Sequence, residues 1–250
     1  MTYQNKEYWE DRLRGKFSLV GTGHAGFSEY YNRYMYKLKA KALDRTIAKY
    51  AIGIKGRKVL DIGCGTGFFV DYYLRNSAGV LVGIDITDIS VDSLKEEFPS
   101  ARFYKSDISS EEFPLKEEFD LINVFDVLYH ITDEPGFARA VKNIASCSVK
   151  GAHILITDAL RPELGGASHV RYRSLKTYTD ILGANGIGVL GVVPVFSLMS
   201  RNPAGFLSDS LLKRISARLI DSCAAVFYFL DSVYCPEKKS IMSLLVCKKL

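Results

Sequence analysis

Apolar and polar positions along this chain follow two different patterns. Up to residue 50 the period is close to 3.6. Tyr31, Tyr34, Met35, Leu38, Ala42 and Leu43 fall on one helical face, and helices are expected over 3–14 and 27–50. Between them Gly21-Thr-Gly-His-Ala-Gly26 reads as a hinge. Farther along, short apolar runs take over at Lys58–Ile62, Val80–Ile84, Arg102–Lys105, Leu121–Phe125, Ala152–Thr157, Ile187–Leu198 and Ile241–Cys247. Helical stretches near 67–77, 88–97, 134–147 and 174–184 separate most of these runs. Such alternation marks βαβ units. The expected fold is α/β, a doubly wound, mainly parallel sheet of seven strands in a single domain over 1–250. Within it, 1–50 is a helical cover, 57–160 the ligand-binding core, and 202–236 a helical insertion before the last strand.

The insertion contains a long apolar helix expected over Leu211–Tyr234 and carries Leu207, Leu211, Leu212, Ile215, Leu219, Ala224, Phe227 and Leu230 as a helical apolar stripe. A lid over a substrate and the interface of a homodimer are both open readings of it.

One loop carries specific chemistry. After the first strand comes Asp61-Ile-Gly63-Cys-Gly65-Thr-Gly67, followed by a helical run. Glycines there let main chain approach a ligand at the start of a helix. A dinucleotide fingerprint needs glycine at position 68, where this chain has Phe68, and no Gly-Lys-Ser/Thr follows to make a nucleotide-triphosphate loop. From Val59 to Gly67 the run resembles the first motif of the class I S-adenosylmethionine-dependent methyltransferases, [VIL]-L-D-x-G-C-G-x-G. The resemblance covers 57–160 well and the last strand loosely. It implies a Rossmann-like methyltransferase fold and S-adenosyl-L-methionine as cofactor. Asp61, Gly63, Cys64 and Gly65 would then lie against the methionine end of the cofactor, with Asp61 at its amino group. A carboxylate suits a cationic ligand better than it suits a pyrophosphate.

Later strand ends fit the same picture. Asp85 closes the second strand, where an acid can accept from both ribose hydroxyls, and Asp107 follows the third, resembling the family's adenine-contacting acid. Ile86 and Ile108 would pack on the ring. Phe119-Asp-Leu-Ile-Asn-Val-Phe125 leads into Asp126-Val-Leu-Tyr-His130 and is similar to the family segment whose backbone meets the cofactor's amino-acid part, so Phe125 is a lining candidate.

Methyl transfer is an in-line displacement, and the protein mainly positions the acceptor. A base is needed only where the acceptor must lose a proton. His130 and His169 are the candidates, with a structural role open for His130. Tyr31, Tyr129 and Arg171 are candidate acceptor contacts, and His169, Arg171 and Arg173 would share one face of an extended loop. The expected reaction is methylation of a small molecule, at oxygen, with an RNA or protein acceptor and a non-catalytic cofactor-binding subunit as the alternatives.

Bulk properties narrow the partners. The net charge of +5 is spread among acids, and the densest basic stretches, Arg33 to Arg45 and Lys238-Lys239, are short. Nucleic acid is therefore not expected as a partner. The odd number of cysteines (64, 147, 223, 235 and 247) and the lack of C-x-x-C spacing point to reduced thiols, no metal site and a cytoplasmic protein. The uncharged stretch 181–200 is broken by glycines and Pro194, and the first ten residues lack a signal-peptide core, so no membrane insertion is expected.

Overall fold

The computed structural model describes residues 5–162, 167–199 and 218–250. Seven strands form one sheet in the order β3-β2-β1-β4-β5-β7-β6. They are β1 (Lys58–Ile62), β2 (Val80–Asp85), β3 (Arg102–Lys105), β4 (Phe119–Val124), β5 (Ser148–Asp158), β6 (Ile187–Phe196) and β7 (Met242–Lys249). The pairs among β1 to β5 are parallel, while β7 runs antiparallel to both β5 and β6. The helices are α1 (Asn5–Gly15), α2 (Leu19–Thr22), α3 (Glu29–Tyr50), α4 (Phe68–Arg75), α5 (Asp88–Glu97), α6 (Glu134–Ser146), α7 (Leu175–Ala184) and α8 (Ala224–Val233).

The two-residue period of the strands sorts the core into two layers. Val59, Leu81, Leu121 and Leu155 face the side covered by α3, α4 and α5. Their neighbours Leu60, Val82, Ile122 and Ile154 face α6 and α7. Helices thus cover both faces, as a doubly wound sheet requires. The chain reverses strand order between β1 and β4, which leaves a crevice at the carboxyl ends of these strands.

Three details differ from expectation. The Gly21–Gly26 stretch is not an open hinge. Leu19–Thr22 form a helical turn, and the buried Asn32 fastens the segment from His24 to Ser28. The Asn32 side chain accepts from His24 N and donates to the carbonyls of His24, Phe27 and Ser28. Strand β5 begins at Ser148, because Ser148 pairs with Phe119 ahead of a register shift. The long helix expected over Leu211–Tyr234 is interrupted: 218–222 are helical, Cys223 is a turn, and α8 begins at Ala224. Leu207, Leu211, Leu212 and Ile215 lie outside the described residues. The remaining stripe is split, with Ala224 buried but Leu219 63% and Leu230 44% exposed. What turns the helix this way is Asp231, fully buried, which accepts from Ser197 N, Ser197 Oγ and Met199 N. Among the described residues no helix is long and apolar enough to cross a membrane.

Candidate active site

The loop after β1 shows why this sequence needs glycine. Gly63, Gly65 and Gly67 have φ of 71°, 51° and 79°, a region that side chains disfavour. A Cβ on Gly63 would lie 2.4 Å from Val127 Cγ2, and one on Gly65 would lie 2.9 Å from Thr22 Cγ2. The loop is tied to the next strand, since Gly63 N and Cys64 N donate to Ile84 O at 2.8 and 3.1 Å. Gly65 N donates to Asp85 Oδ2 at 2.9 Å, and Asp85 Oδ1 accepts from Thr87 N and Oγ1. Burial pushes the Asp85 carboxyl up from its ordinary range, and these donors from Thr87 and Gly65 hold part of that back. After β3, Asp107 Oδ1 accepts from Ser109 N and Oγ at 2.8 and 2.7 Å, so the turn itself engages only one of its two carboxylate oxygens.

These strand ends border a cavity. Gly63, Gly65, Asp85, Ile86, Asp107, Ile108 and Phe125 all line it. So does Ser106, whose buried hydroxyl has no partner among the described residues. Cys64 lines only a smaller recess that continues the cavity past Phe125.

Helix α1 roofs the cavity with Trp9 and Leu13. Arg12 anchors it to the following loop, donating to Val20 O at 2.8 Å and Gly23 O at 2.7 Å. At the other side Glu10 accepts from Asp88 N at the start of α5. The Trp9 ring meets the edge of His130, which lines the cavity from the 3-10 turn Leu128–His130. His130 Nδ1 lies 2.8 Å from His169 O. A carbonyl oxygen can only accept, so Nδ1 carries the proton and Nε2 keeps its lone pair. Burial pushes the His130 pKa down to about 4, and the ring is neutral near pH 7.

A buried ion pair that the sequence did not announce stands at the carboxyl end of β4. Lys39 of α3 donates to Asp126, which directly follows Phe125 and has φ of +60°. Burial alone would lower the Lys39 pKa; the Asp126 carboxylate more than offsets it and the pKa is raised.

The chain matches the family described as "Methyltransferase domain" over residues 31–187, more than half its length. The chain belongs to this methyltransferase family. Among curated relatives, the ubiquinone biosynthesis O-methyltransferase of Acinetobacter baylyi is 26% identical over 116 residues, 44% of this chain and 47% of the relative. A tRNA U34 carboxymethyltransferase of Pseudoalteromonas atlantica is 30% identical over 93 residues, 36% of this chain and 29% of the relative. The matched stretch therefore spans less than half of either relative. A magnesium protoporphyrin IX methyltransferase from Synechocystis, solved with S-adenosylmethionine bound, superposes with a TM-score of 0.62. That superposition covers 99% of this chain and 98% of the other at 13% identity. The family is that of a methyltransferase domain, and the cofactor it implies for this chain is S-adenosylmethionine.

The cavity of this methyltransferase fits that cofactor by its own features. Gly63 and Gly65 leave space a Cβ would fill, Ser106 offers an orphaned hydroxyl, and two acids stand at successive strand ends.

Several expected site residues lie elsewhere. Asp61 is absent from the cavity lining; it is buried, accepts from Asn123 Nδ2 at 2.6 Å, and burial raises its pKa to about 7. Tyr31 is fully buried and stacks on Phe27 at 4.0 Å, because its side of α3 faces the core. Tyr129 is buried as well and packs on Tyr172. Arg171 is half exposed, pairs with Glu134 at 3.0 Å and donates to Thr132 O, away from the cavity. His169 sits behind His130, stacked on Tyr8 at 4.6 Å, so its backbone orients the inner histidine. Arg173 is a structural clamp: buried against Phe137, it donates to Leu128 O and Ile131 O.

Proposed function

We propose that this methyltransferase methylates a small molecule at oxygen, with His130 Nε2 accepting the acceptor's proton. Asp85 takes the ribose hydroxyls and Asp107 the adenine amine, with Ile86 and Ile108 against the ring. When bound, the cofactor supplies an electrophilic methyl group on a cationic sulfur. The carrying observation is the fixed state of His130. Its Nδ1 proton is committed to His169 O, so the lone pair on Nε2 is the free valence of a ring in the cavity wall.

A pKa of about 4 for that ring discriminates between acceptor atoms. As an oxygen takes up a methyl group, its remaining proton becomes far more acidic than an imidazolium, and a weak buried base suffices to receive it. An amine acceptor is an ammonium near pH 7, and a base with so low a pKa cannot strip it. A small acceptor is supported by the roof, since α1 lays Trp9 and Leu13 over the cavity. Small-molecule methyltransferases, acting at oxygen or at nitrogen, stand among the relatives.

The test is methyl transfer from labelled S-adenosylmethionine to a panel of phenols, carboxylic acids, amines and tRNA. Transfer to a phenol that falls about 100-fold or more in His130→Gln, with unchanged S-adenosylhomocysteine affinity, is expected. Transfer to an amine or to tRNA alone would overturn the reading.

A further inference from the structure

Helix α8 carries apolar side chains on both of its sides. Ala224 and Asp231 are buried and Phe227 and Tyr228 half-buried, which fixes the side turned to the core. Val226, Phe229, Leu230 and Val233, with Tyr234 at the helix end, make up the other side. They follow the i, i+3, i+4, i+7, i+8 spacing of one helical stripe and are 44% to 72% exposed. Single exposed apolar residues need no explanation. A whole stripe of them, on a helix whose one charged residue is the buried Asp231, marks a surface that meets something apolar.

Cations border the stripe. α8 packs against α3, with the Tyr34 and Tyr228 rings 5.2 Å apart. Ser28, at the start of α3, donates to Asp221 from its N–H and its hydroxyl at 2.9 and 2.7 Å. The two helices therefore present one surface. Beyond the tyrosine seam the outward side of α3 carries Arg33, Lys37 and Lys41, and Lys37 Nζ lies over the Tyr34 ring at 5.1 Å. Among the described residues none of these three makes an ion pair. Arg218 stands exposed ahead of α8 and Lys239 past its end. The acids here are largely committed: Asp231 to Ser197 and Met199, Asp221 to Ser28, and Asp44 to the Tyr72 hydroxyl at 2.6 Å. That leaves Glu237 as the exposed acid near α8 among the described residues.

This charge pattern selects the occupant. An apolar stripe edged by cations complements a partner that is apolar inside and anionic at its rim, the layout of a lipid leaflet with acidic headgroups. A second copy of the chain would bring the same stripe together with the same cations, and Glu237 cannot answer them all. Spanning is not required. Among the described residues no helix is long and apolar enough to cross a membrane, and α8, at 10 residues, has the length to lie in the interface plane.

We propose that α8 and the outward side of α3 form a peripheral docking surface for an anionic membrane. The stripe from Val226 to Tyr234 enters the acyl boundary, and Arg33, Lys37 and Lys41 meet headgroup phosphates. α3 then links docking to the active site, since it turns Arg33 and Lys37 outward and Tyr36 to the cavity wall. The docking surface is independent of the acceptor and the base proposed above.

Vesicle flotation of the full chain, with phosphatidylcholine alone and with phosphatidylglycerol added, tests it. Wild type should bind the anionic vesicles at least about tenfold more tightly than the neutral ones, and lose affinity as salt rises. Phe229→Ser/Val233→Ser should weaken anionic-vesicle binding by about tenfold or more. Arg33→Gln/Lys37→Gln should weaken it by a similar factor and reduce its salt dependence. S-adenosylhomocysteine affinity, measured by calorimetry, should be unchanged in both variants, because the substituted side chains are exposed and off the cavity; this also reports intact folding. Absence of vesicle binding by wild type would overturn the proposal, as would binding that survives Phe229→Ser/Val233→Ser or is indifferent to headgroup charge. A dimer in analytical ultracentrifugation that the same pair dissolves, with no lipid bound, would overturn it too and give the surface to a second copy.

Discussion

The indole of Trp9 meets the imidazole of His130 edge-on, with centroids 4.8 Å apart and planes at 83°. A roof residue of α1 is thereby packed on the proposed base. Trp9 is the chain's one tryptophan, so its emission reports the state of the roof. S-adenosylhomocysteine binding should change that emission, and Trp9→Ala should raise KM for both substrates by about tenfold with a smaller change in kcat. Unchanged kinetics would show that the roof is dispensable.

Protonation of His130 sets an acid limb. With the ring at about 4 instead of its ordinary 6.5, turnover should be level through neutral pH and fall only as pH approaches about 4. Stability follows the same window. Between 6.5 and about 4 the unfolded chain binds the proton and the native protein does not, so this contribution is complete above 6.5 and is lost as pH falls. Denaturant melts of wild type and His130→Asn should converge over that range. A kinetic limb near 6.5 would contradict the burial argument.

Asp61 behaves with the opposite sign. Burial raises its carboxyl from 3.8 to about 7, so the native protein holds the proton where the unfolded chain has lost it. Stability therefore declines as pH rises through that interval. Asp61→Asn keeps an oxygen facing Asn123 without the charge, and its melting temperature should rise relative to wild type as pH is taken from 5 to 8.

Glycine positions separate close approach from mere helix content. Gly63→Ala would press a methyl against Val127 at a φ of +71°, and should cost about 2 to 4 kcal/mol and abolish cofactor binding. Gly183→Ala, in α7 with nothing within 4 Å, should stabilise by about 0.5 to 1 kcal/mol. Urea denaturation and calorimetry measure both.

The two neighbouring arginines divide cleanly. Arg171→Ala removes an exposed partner of Glu134 and should change stability by less than about 1 kcal/mol. Arg173→Met strips donors from the carbonyls of Leu128 and Ile131 beneath the 3-10 turn that carries His130, and should cost about 3 kcal/mol or more. Thermal melts of the two variants distinguish these roles, and equal losses would refute them.

Local patterns carried most of the fold. Short apolar runs marked every strand, and the Asp61–Gly67 run located the cavity because the glycines are demanded by geometry within the loop itself. What escaped the sequence were relations between distant positions. Lys39 and Asp126 are 87 residues apart, and nothing in α3 distinguishes Lys39 from its solvated neighbours Lys37 and Lys41 except the side it faces. Tyr31 failed for a related reason: an aromatic ring on an amphipathic helix signals burial, and burial in the core looks the same in sequence as burial against a ligand. Asn32 and Asp231 could not be read as anchors because each works by gathering backbone groups from another segment.

The placement of β7 between β5 and β6 has a consequence for assembly of the chain during synthesis. Strands β1 to β5 pair with one another as they emerge, so the half that bears the glycine loop and the three acidic strand ends can form early. Strand β6 has no neighbour in the sheet until β7 follows it. The sheet is thus completed by inserting its last-made strand between two older ones, and α7 and β6 must wait, loosely held, for that insertion.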